Sequence, residues 1–240
     1  MTVSRSQPDG ATRKRAVRRF VRDNGISLGF GIAFFLALTG HAIAGCAEFN
    51  NQLVTDGFAQ IGFLDYLASS DFAVDVTENW QSEYLQFFLY IFATVWLLQR
   101  GSPESKEMDK AGPESDQDQR TGEYAGTGSP RWAGVGGGRQ AVFSRSLGLV
   151  MASLFLLSWL AQSIAGVAAY NEQQLRQFQA PLGWTRYISS ADFWSRSLQN
   201  WQSELLAVAS MAILSVYLRQ RGSPESKPVG APHSATGIDG

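Results

Sequence analysis

The pentapeptide Asn-Trp-Gln-Ser-Glu occurs twice in this chain, and each copy leads into a run of apolar residues. The first copy contains Asn79 and Glu83, and the second contains Asn200 and Glu204. Residues four positions apart share one face of a helix, so each Asn and its Glu would point to the same side. Two carboxylates brought together in an apolar medium resist double ionisation, which suits a cation site or a proton relay.

The same residues also have a structural interpretation. Each Glu could stay near the water interface and hydrogen-bond to its Asn, to a nearby Gln, or to a neighbouring helix. Transport sites usually lie near the membrane midplane, so the expected position at a helix mouth favours this structural role. Both interpretations of the four residues remain open from the sequence.

No other set of residues predicts a reaction. The chain has one Cys and two His, which excludes an internal disulfide and a His-rich metal site. A nucleophile with its base, a cluster of metal ligands and a phosphate-binding loop are all missing from the pattern. We therefore expect a protein that is not an enzyme, with no catalytic residue, cofactor or metal.

The apolar residues are concentrated in four segments, although the mean hydropathy of -0.11 is that of a soluble chain. Residues 25–46 and 147–168 carry no charged side chain over about 20 positions, enough to cross about 30 Å of hydrocarbon. Residues 84–98 and 205–218 are shorter, and reach that length only if they begin at Asn79 and Asn200. The sequence thus predicts four transmembrane helices, with the repeated pentapeptide inside the second and fourth.

The basic residues predict the orientation of these helices. Seven of the 20 Lys and Arg residues precede the first segment, whereas the connection 47–78 has none. Cytoplasmic loops are the ones enriched in Lys and Arg. We expect a multi-pass protein of the inner (plasma) membrane with cytoplasmic termini. The basic N-terminus is interpreted as a topogenic signal that also attracts anionic lipid, and no nucleic-acid partner is expected.

An offset of 121 residues aligns one half of the chain with the other. Asn50 falls on Asn171, Tyr66 on Tyr187, and the heptapeptide Arg-Gly-Ser-Pro-Glu-Ser-Lys at 100–106 on its copy at 221–227. Such self-similarity indicates two copies of one unit. Each unit holds two crossings, so both copies insert the same way, and the predicted fold is an all-α bundle of two tandem parallel two-helix repeats related by a pseudo-twofold axis.

This alignment divides the chain into five parts. Residues 1–24 form a basic cytoplasmic N-terminus, 25–106 the first repeat, and 145–227 the second. Residues 107–144 and 228–240 are predicted to be a disordered cytoplasmic linker and a disordered tail, because they are too polar and Gly-rich to form a core.

Smaller motifs have predicted roles as well. Asp71 and Asp192 resemble helix N-caps, and Gly101 and Gly222 suit the left-handed position after a helix. The heptapeptide ends are candidates for lipid or partner contact through Arg100, Lys106, Arg221 and Lys227. Small residues that would let helices pack closely are Gly25, Gly29, Gly45 and Gly166.

Cys46 raises one alternative to the first transmembrane helix. Ile-Ala-Gly-Cys at 43–46 is similar to a lipoprotein cleavage site, but the aligned residue in the second copy is Val167. That second site cannot be an N-terminal signal. Helix packing therefore explains the repeated Ile-Ala-Gly better.

The tandem Asn-Trp-x-Ser-Glu and Arg-Gly-Ser-x-Glu-Ser-Lys motifs resemble those of an uncharacterised bacterial family of small integral membrane proteins, a family with a domain of unknown function. The resemblance implies a polytopic bacterial membrane protein and supplies no activity. The expected partners are the lipid bilayer and, as open alternatives, a membrane protein or a second copy of the chain. The leading hypothesis is a structural or interaction protein; the alternative is a small ion or proton transporter that uses Glu83 and Glu204.

Overall fold

Helices make up the ordered elements of this computed structural model, which describes residues 10–237. The first nine residues of the predicted N-terminal segment and the last three of the predicted tail lie outside that range. The helices are α1 (Gly10–Asp23), α2 (Gly25–Thr55), α3 (Phe63–Leu67), α4 (Ser70–Trp96), α5 (Gly137–Phe143), α6 (Ser146–Arg176), α7 (Trp184–Tyr187) and α8 (Ala191–Tyr217), with a 3-10 turn at Gly122–Tyr124.

Two of these helices, α2 and α6, are long and apolar enough to cross a membrane. Each has 31 residues, and only 6% of the apolar window of α2 and 17% of that of α6 is buried within the chain. Helices that are apolar on all sides and uncovered are typical of a lipid environment. The helices α4 and α8 are nearly as long, with 27 residues each, but Gln, Asn, Glu and Ser side chains interrupt their apolar character.

The chain divides into two compact units, Met1–Phe72 and Ala73–Gly240. This boundary lies within α4. After it, Glu78 of α4 forms an ion pair with Arg196 of α8.

In the first unit, the connection after α2 folds back onto that helix. The side chain of Asn50 accepts a hydrogen bond from the Ile61 amide at 2.8 Å and donates to the Ile61 carbonyl at 3.1 Å. In the same connection, the ring of Tyr66 in α3 packs against those of Phe49 and Phe72, with centroids 5.6 and 5.4 Å apart. These rings form the small buried core of the unit.

The second unit repeats this arrangement at its own α6, α7 and α8. Asn171 accepts from the Leu182 amide at 2.7 Å and donates to the Leu182 carbonyl at 2.9 Å. Tyr187 of α7 packs against Tyr170 and Phe193, with centroids 5.6 and 5.7 Å apart. Residues that align at the offset of 121 thus make equivalent contacts.

The start of α4 and of α8 corrects one prediction. Ser69 and Ser190, and not Asp71 and Asp192, supply the oxygen that accepts from the first-turn amides, those of Phe72 and Phe193. The aspartates follow within the first turn, where their charge complements the positive end of the helix dipole. A Ser two positions earlier has the shorter side chain that reaches the third amide.

The chain between the repeats contains local turns, and its disorder stays a prediction. Its turns are held by short-range bonds, such as Thr121 N–H to the Asp116 carbonyl at 2.9 Å, and Gly122 N–H to the Ala133 carbonyl at 2.8 Å. Gly112 N–H also donates to the Val95 carbonyl at 2.7 Å, which ties the linker to the end of α4. The tail is likewise in contact with the rest of its unit as far as Gly237.

Candidate functional site

The two repeated pentapeptides lie on α4 and α8, which meet in the second unit along a line of polar side chains that we call the α4–α8 seam. Its contacts pair Glu78 with Arg196, Gln81 with Trp201, and Ser82 with Glu204. Residue numbers rise together on both helices, so the helices run parallel. Apart from Ser82, the contacting side chains are long.

A charged group occupies the N-terminal end of the seam. Arg196 contacts Glu78 at 3.2 Å and Asp192 at 3.6 Å, and Asp192 also accepts from the Tyr187 hydroxyl at 3.2 Å. Burial raises the pKa of Glu78, although Arg196 opposes this shift. Burial, together with the charge of Asp192, raises the pKa of Tyr187 well above its usual range.

This charged group joins residues that are not equivalent in the two repeats. At the offset of 121, Arg196 aligns with Asp75, and Glu78 aligns with Gln199. The Glu78–Arg196 pair therefore has no counterpart, and the alignment of the repeats gave no signal for it. It was missed by the sequence analysis.

Buried amides and indoles form the middle of the seam. Trp201 Nε1 donates to Gln81 Oε1 at 2.8 Å, and Trp159 Nε1 of α6 donates to Ser197 at 3.3 Å. Trp159 and Trp201 pack together with centroids 5.6 Å apart. Gln162, one turn along α6 from Trp159, is 0% exposed, and neither its amide nitrogen nor its amide oxygen has a hydrogen-bond partner.

The two carboxylates of the pentapeptides interact through their charges. The charge of Glu83 acts on that of Glu204, and the Ser82 hydroxyl interacts with the Glu204 carboxylate. Glu83 is exposed and Glu204 is half-buried. The two like charges therefore affect each other electrostatically.

The Asn side chains of the pentapeptides do not reach these carboxylates. Asn79 donates to the Asp75 carbonyl at 2.7 Å, and Asn200 donates to the Arg196 carbonyl at 3.1 Å. Each Asn therefore hydrogen-bonds to its own helix one turn earlier. Both Asn side chains thus donate to backbone carbonyls, and contact of each Glu with a Gln or with a neighbouring helix stays a prediction.

The two heptapeptides form the same turn after α4 and α8. Gly101 and Gly222 have φ of 84° and 81°, which confirms the left-handed conformation predicted for both. In each turn, a Ser hydroxyl accepts from the backbone amide six residues earlier at 2.9 Å, as Ser105 does from Gln99. A left-handed backbone strains any residue other than glycine, so these glycines permit the turn that follows each helix, five residues beyond Trp96 and Tyr217.

The lysines that end the heptapeptides point inward. Lys227 is 1% exposed, and its ammonium, with three N–H groups, lies within hydrogen-bond distance of four carbonyls, those of Gly101, Pro232, His233 and Ala235. Burial lowers the pKa of Lys227. The Lys227 ammonium is therefore bound by carbonyls of its own chain, and contact of Lys227 with lipid or a partner stays a prediction.

The other three basic residues of the heptapeptides differ from Lys227. Lys106 is half-buried and bonds to the Gly112 carbonyl at 3.0 Å and to Glu114 at 3.1 Å. Arg100 and Arg221 are exposed, and Arg221 lines an open pocket of about 320 Å³ beside Gly222. These two arginines are the exposed basic residues of the heptapeptides, available for contact with lipid or a partner.

The four glycines predicted to pack helices fall into two pairs. A Cβ at Gly45 would clash with the Tyr66 hydroxyl, and one at Gly166 would lie 2.5 Å from the Tyr187 hydroxyl. Their partner is thus a tyrosine side chain and not a helix backbone. A Cβ at Gly25 or Gly29 would meet nothing within 4 Å, so these two pack against no other part of the described chain.

The sequence of the chain matches a known protein family. The model of a family described as a domain of unknown function, DUF6766, matches residues 17–238. The chain belongs to the DUF6766 family. The match extends from α1 to the C-terminal segment after α8. No curated protein and no solved structure matches it.

Hydrogen bonds and ion pairs are the polar contacts of the seam in this DUF6766 chain. Within residues 10–237, no three His, Cys, Asp or Glu side chains are grouped to hold a metal ion. The single thiol, Cys46, is buried in the core of the first unit. The polar residues of the seam are aligned to connect helices and to present a pair of carboxylates.

Proposed function

We propose that the chain is a four-span bacterial inner-membrane protein with a structural or interaction role and no enzymatic activity. One observation carries the membrane location: α2 and α6 are apolar, long enough to span a bilayer, and covered by almost none of the chain. In water this surface would promote aggregation, whereas lipid solvates it. The lipid bilayer is the partner that such helices require.

The second span of each repeat is the part of the proposal that depends on the seam. The helices α4 and α8 have 27 residues each, so both are about 40 Å long and can cross the membrane. Their polar side chains become tolerable in lipid when they face one another, as Gln81 and Trp201 do. The pairing of α4 with α8 thus supports four spans and a bundle of two parallel repeats.

The test of this topology uses reporter fusions in the three connections. With four spans and a cytoplasmic N-terminus, fusions at Gly57, Gly122 and Gly183 report outside, inside and outside. With α2 and α6 as the only spans, Gly122 and Gly183 exchange sides. Release of the protein from membranes by alkaline carbonate would contradict the membrane location itself.

A partner for the structural role would be a membrane protein or a second copy of the chain. The exposed guanidinium groups of Arg100 and Arg221, at the ends of α4 and α8, are the charged contacts left for it or for lipid phosphates. Crosslinking in intact membranes, followed by mass spectrometry, measures this directly. Loss of the crosslinks in Arg100→Ala with Arg221→Ala is expected if these residues contact the partner.

Ion or proton handling is the second candidate function, favoured by one observation. The charges of Glu83 and Glu204 interact, and Ser82 interacts with the Glu204 carboxylate. Proteoliposomes separate the two functions: Glu83→Gln with Glu204→Gln abolishes cation or proton flux if the protein is a transporter and leaves its stability unchanged. Glu172→Gln, at an exposed ion pair with Arg176, is the control. The structural role predicts no flux in the parent protein.

A further inference from the structure

The helix α1 has two chemically different faces. Ala16, Val17, Phe20 and Val21 recur at helical spacing on one side. The other side carries five basic residues, Lys14, Arg15, Arg18, Arg19 and Arg22, and a sixth, Arg13, lies at the N-terminal end of the apolar side, one turn before Val17. Only Asp23, at the end of the helix, opposes their charge, through pairs of 3.3 Å with Arg19 and 3.2 Å with Arg22.

Both faces of α1 are uncovered. The apolar side chains Val17, Phe20 and Val21 are 57%, 59% and 51% exposed. An apolar stripe of this kind on a 14-residue helix needs a surface to cover it. Because basic residues flank the stripe, the matching surface is apolar below and negatively charged above, which describes the interface of an anionic lipid layer.

The junction between α1 and α2 permits this placement. Asn24 separates the helices and has φ of -124° and ψ of 23°, outside the helical range. Arg145, its aligned residue before α6, has nearly the same conformation, with φ of -118° and ψ of 6°. A chain that breaks here can change direction where the proposed first span begins.

We propose that α1 is an interfacial helix that binds anionic phospholipid, with its apolar face inserted among the acyl chains and its basic face on the headgroups. This inference rests on the proposed membrane location of α2. The lipid surface recognises α1 by charge and by the apolar stripe together, so both features are needed. Neutral lipid can match only the apolar stripe, because it carries no net negative charge.

The test uses the full-length protein in nanodiscs. An environment-sensitive fluorophore is attached at Val17→Cys in a Cys46→Val background, which introduces the residue found at the aligned position of the second repeat. Discs contain either phosphatidylcholine alone or phosphatidylcholine with phosphatidylglycerol. Emission and quenching by lipid-borne quenchers report how far the label enters the bilayer.

The expected result is deeper insertion in the anionic discs. Replacing Lys14, Arg18 and Arg22 by Gln should reduce the ratio of inserted to free helix by about fivefold for each charge removed, and less at high salt. The matched control replaces three exposed basic residues, Lys110, Arg120 and Arg131, by Gln. This replacement changes the net charge by the same amount. It should leave the label unaffected.

Two outcomes overturn the inference. One is a label that stays in water in both kinds of disc; the other is insertion that is equal with and without anionic lipid. In either case, stable incorporation of the protein into the discs still supports the membrane location, so the two proposals fail separately. If the protein does not incorporate at all, both proposals are overturned.

Discussion

Replacement of Gly166 by Ala is the most informative single change, because the structure fixes both its sign and its cause. The new Cβ would lie 2.5 Å from the Tyr187 hydroxyl and 3.0 Å from two carbons of its ring. The ring cannot move freely, since it packs against Tyr170 and Phe193 and donates to Asp192. Overpacking of this kind costs about 1–3 kcal/mol.

Two further effects set the net magnitude. Ala favours the helix over Gly by about 1 kcal/mol, which opposes the clash. Displacement of the tyrosine also weakens its hydrogen bond to Asp192, which is worth about 1–2 kcal/mol for a charged acceptor. We therefore expect Gly166→Ala to lower the free energy of unfolding by about 1–3 kcal/mol. Gly45→Ala should act in the same direction through Tyr66.

The matched control is Gly29→Ala, in the equivalent kind of helix but with nothing within 4 Å of the new methyl group. Only the helix preference remains there, so stability should stay constant or rise by up to about 1 kcal/mol. Unfolding by SDS in mixed micelles, followed through tryptophan fluorescence, measures both variants. Tyr187→Phe should partly rescue Gly166→Ala, because it removes the nearest atom.

Equal stability of the Gly166→Ala and Gly29→Ala variants would refute the reasoning. A loss of stability in Gly29→Ala alone would instead show that this glycine packs against a second copy or a partner. Chromatography of the same samples separates the two cases, since a lost interface changes the oligomeric state. The prediction thus also tests the small-residue surface of α2.

Four other changes give defined outcomes. Burial raises the pKa of Glu78 above 4.5, its usual value. Its contribution to the free energy of unfolding is therefore complete below pH 4.5 and is lost as the pH rises through the folded-state pKa. Glu78→Gln should flatten the pH dependence of the unfolding free energy, measured between about pH 4 and pH 7. Asn171→Ala removes two hydrogen bonds to Leu182 and should cost about 2–3 kcal/mol in the same SDS assay, whereas exposed Asn51→Ala should cost less than about 0.5 kcal/mol. Gln162→Met should stabilise the protein by about 1–3 kcal/mol, because it replaces a buried amide that has no partner, and a loss of stability would contradict that reasoning. Lys227→Met should speed hydrogen exchange of the Gly101 amide, while Lys106→Met should not, since only the Lys227 ammonium binds the Gly101 carbonyl.

Much of the helical framework was predictable because it depends on local pattern. The long apolar segments gave α2 and α6, and the glycine after each second helix gave the left-handed turn. Repetition also identified Asn50 and Asn171 as important positions, although the sequence alone did not reveal what they bind. Their partners, Ile61 and Leu182, are backbone groups, which carry no sequence signature.

Contacts between distant residues were the part that the sequence could not supply. Arg196 and Glu78 lie 118 residues apart and differ from their aligned counterparts, so the repeat gave no hint of the pair. Lys227 has the composition of an exposed residue, and its burial depends on carbonyls gathered from two separate segments. The α4–α8 seam is likewise a consequence of packing, since Gln81 and Trp201 lie 120 residues apart.

The contact between Lys227 and Gly101 has a consequence for the order in which the protein forms. Gly101 lies at the end of the first repeat, but its turn is covered by residues that come more than 120 positions later: its amide donates to Thr236, and the Ser102 carbonyl accepts from Gly237. During synthesis from the N-terminus, the first turn must therefore wait uncovered until the tail emerges. The first half of the chain is synthesised first but completes its tertiary contacts last. Its folding therefore depends on completion of synthesis.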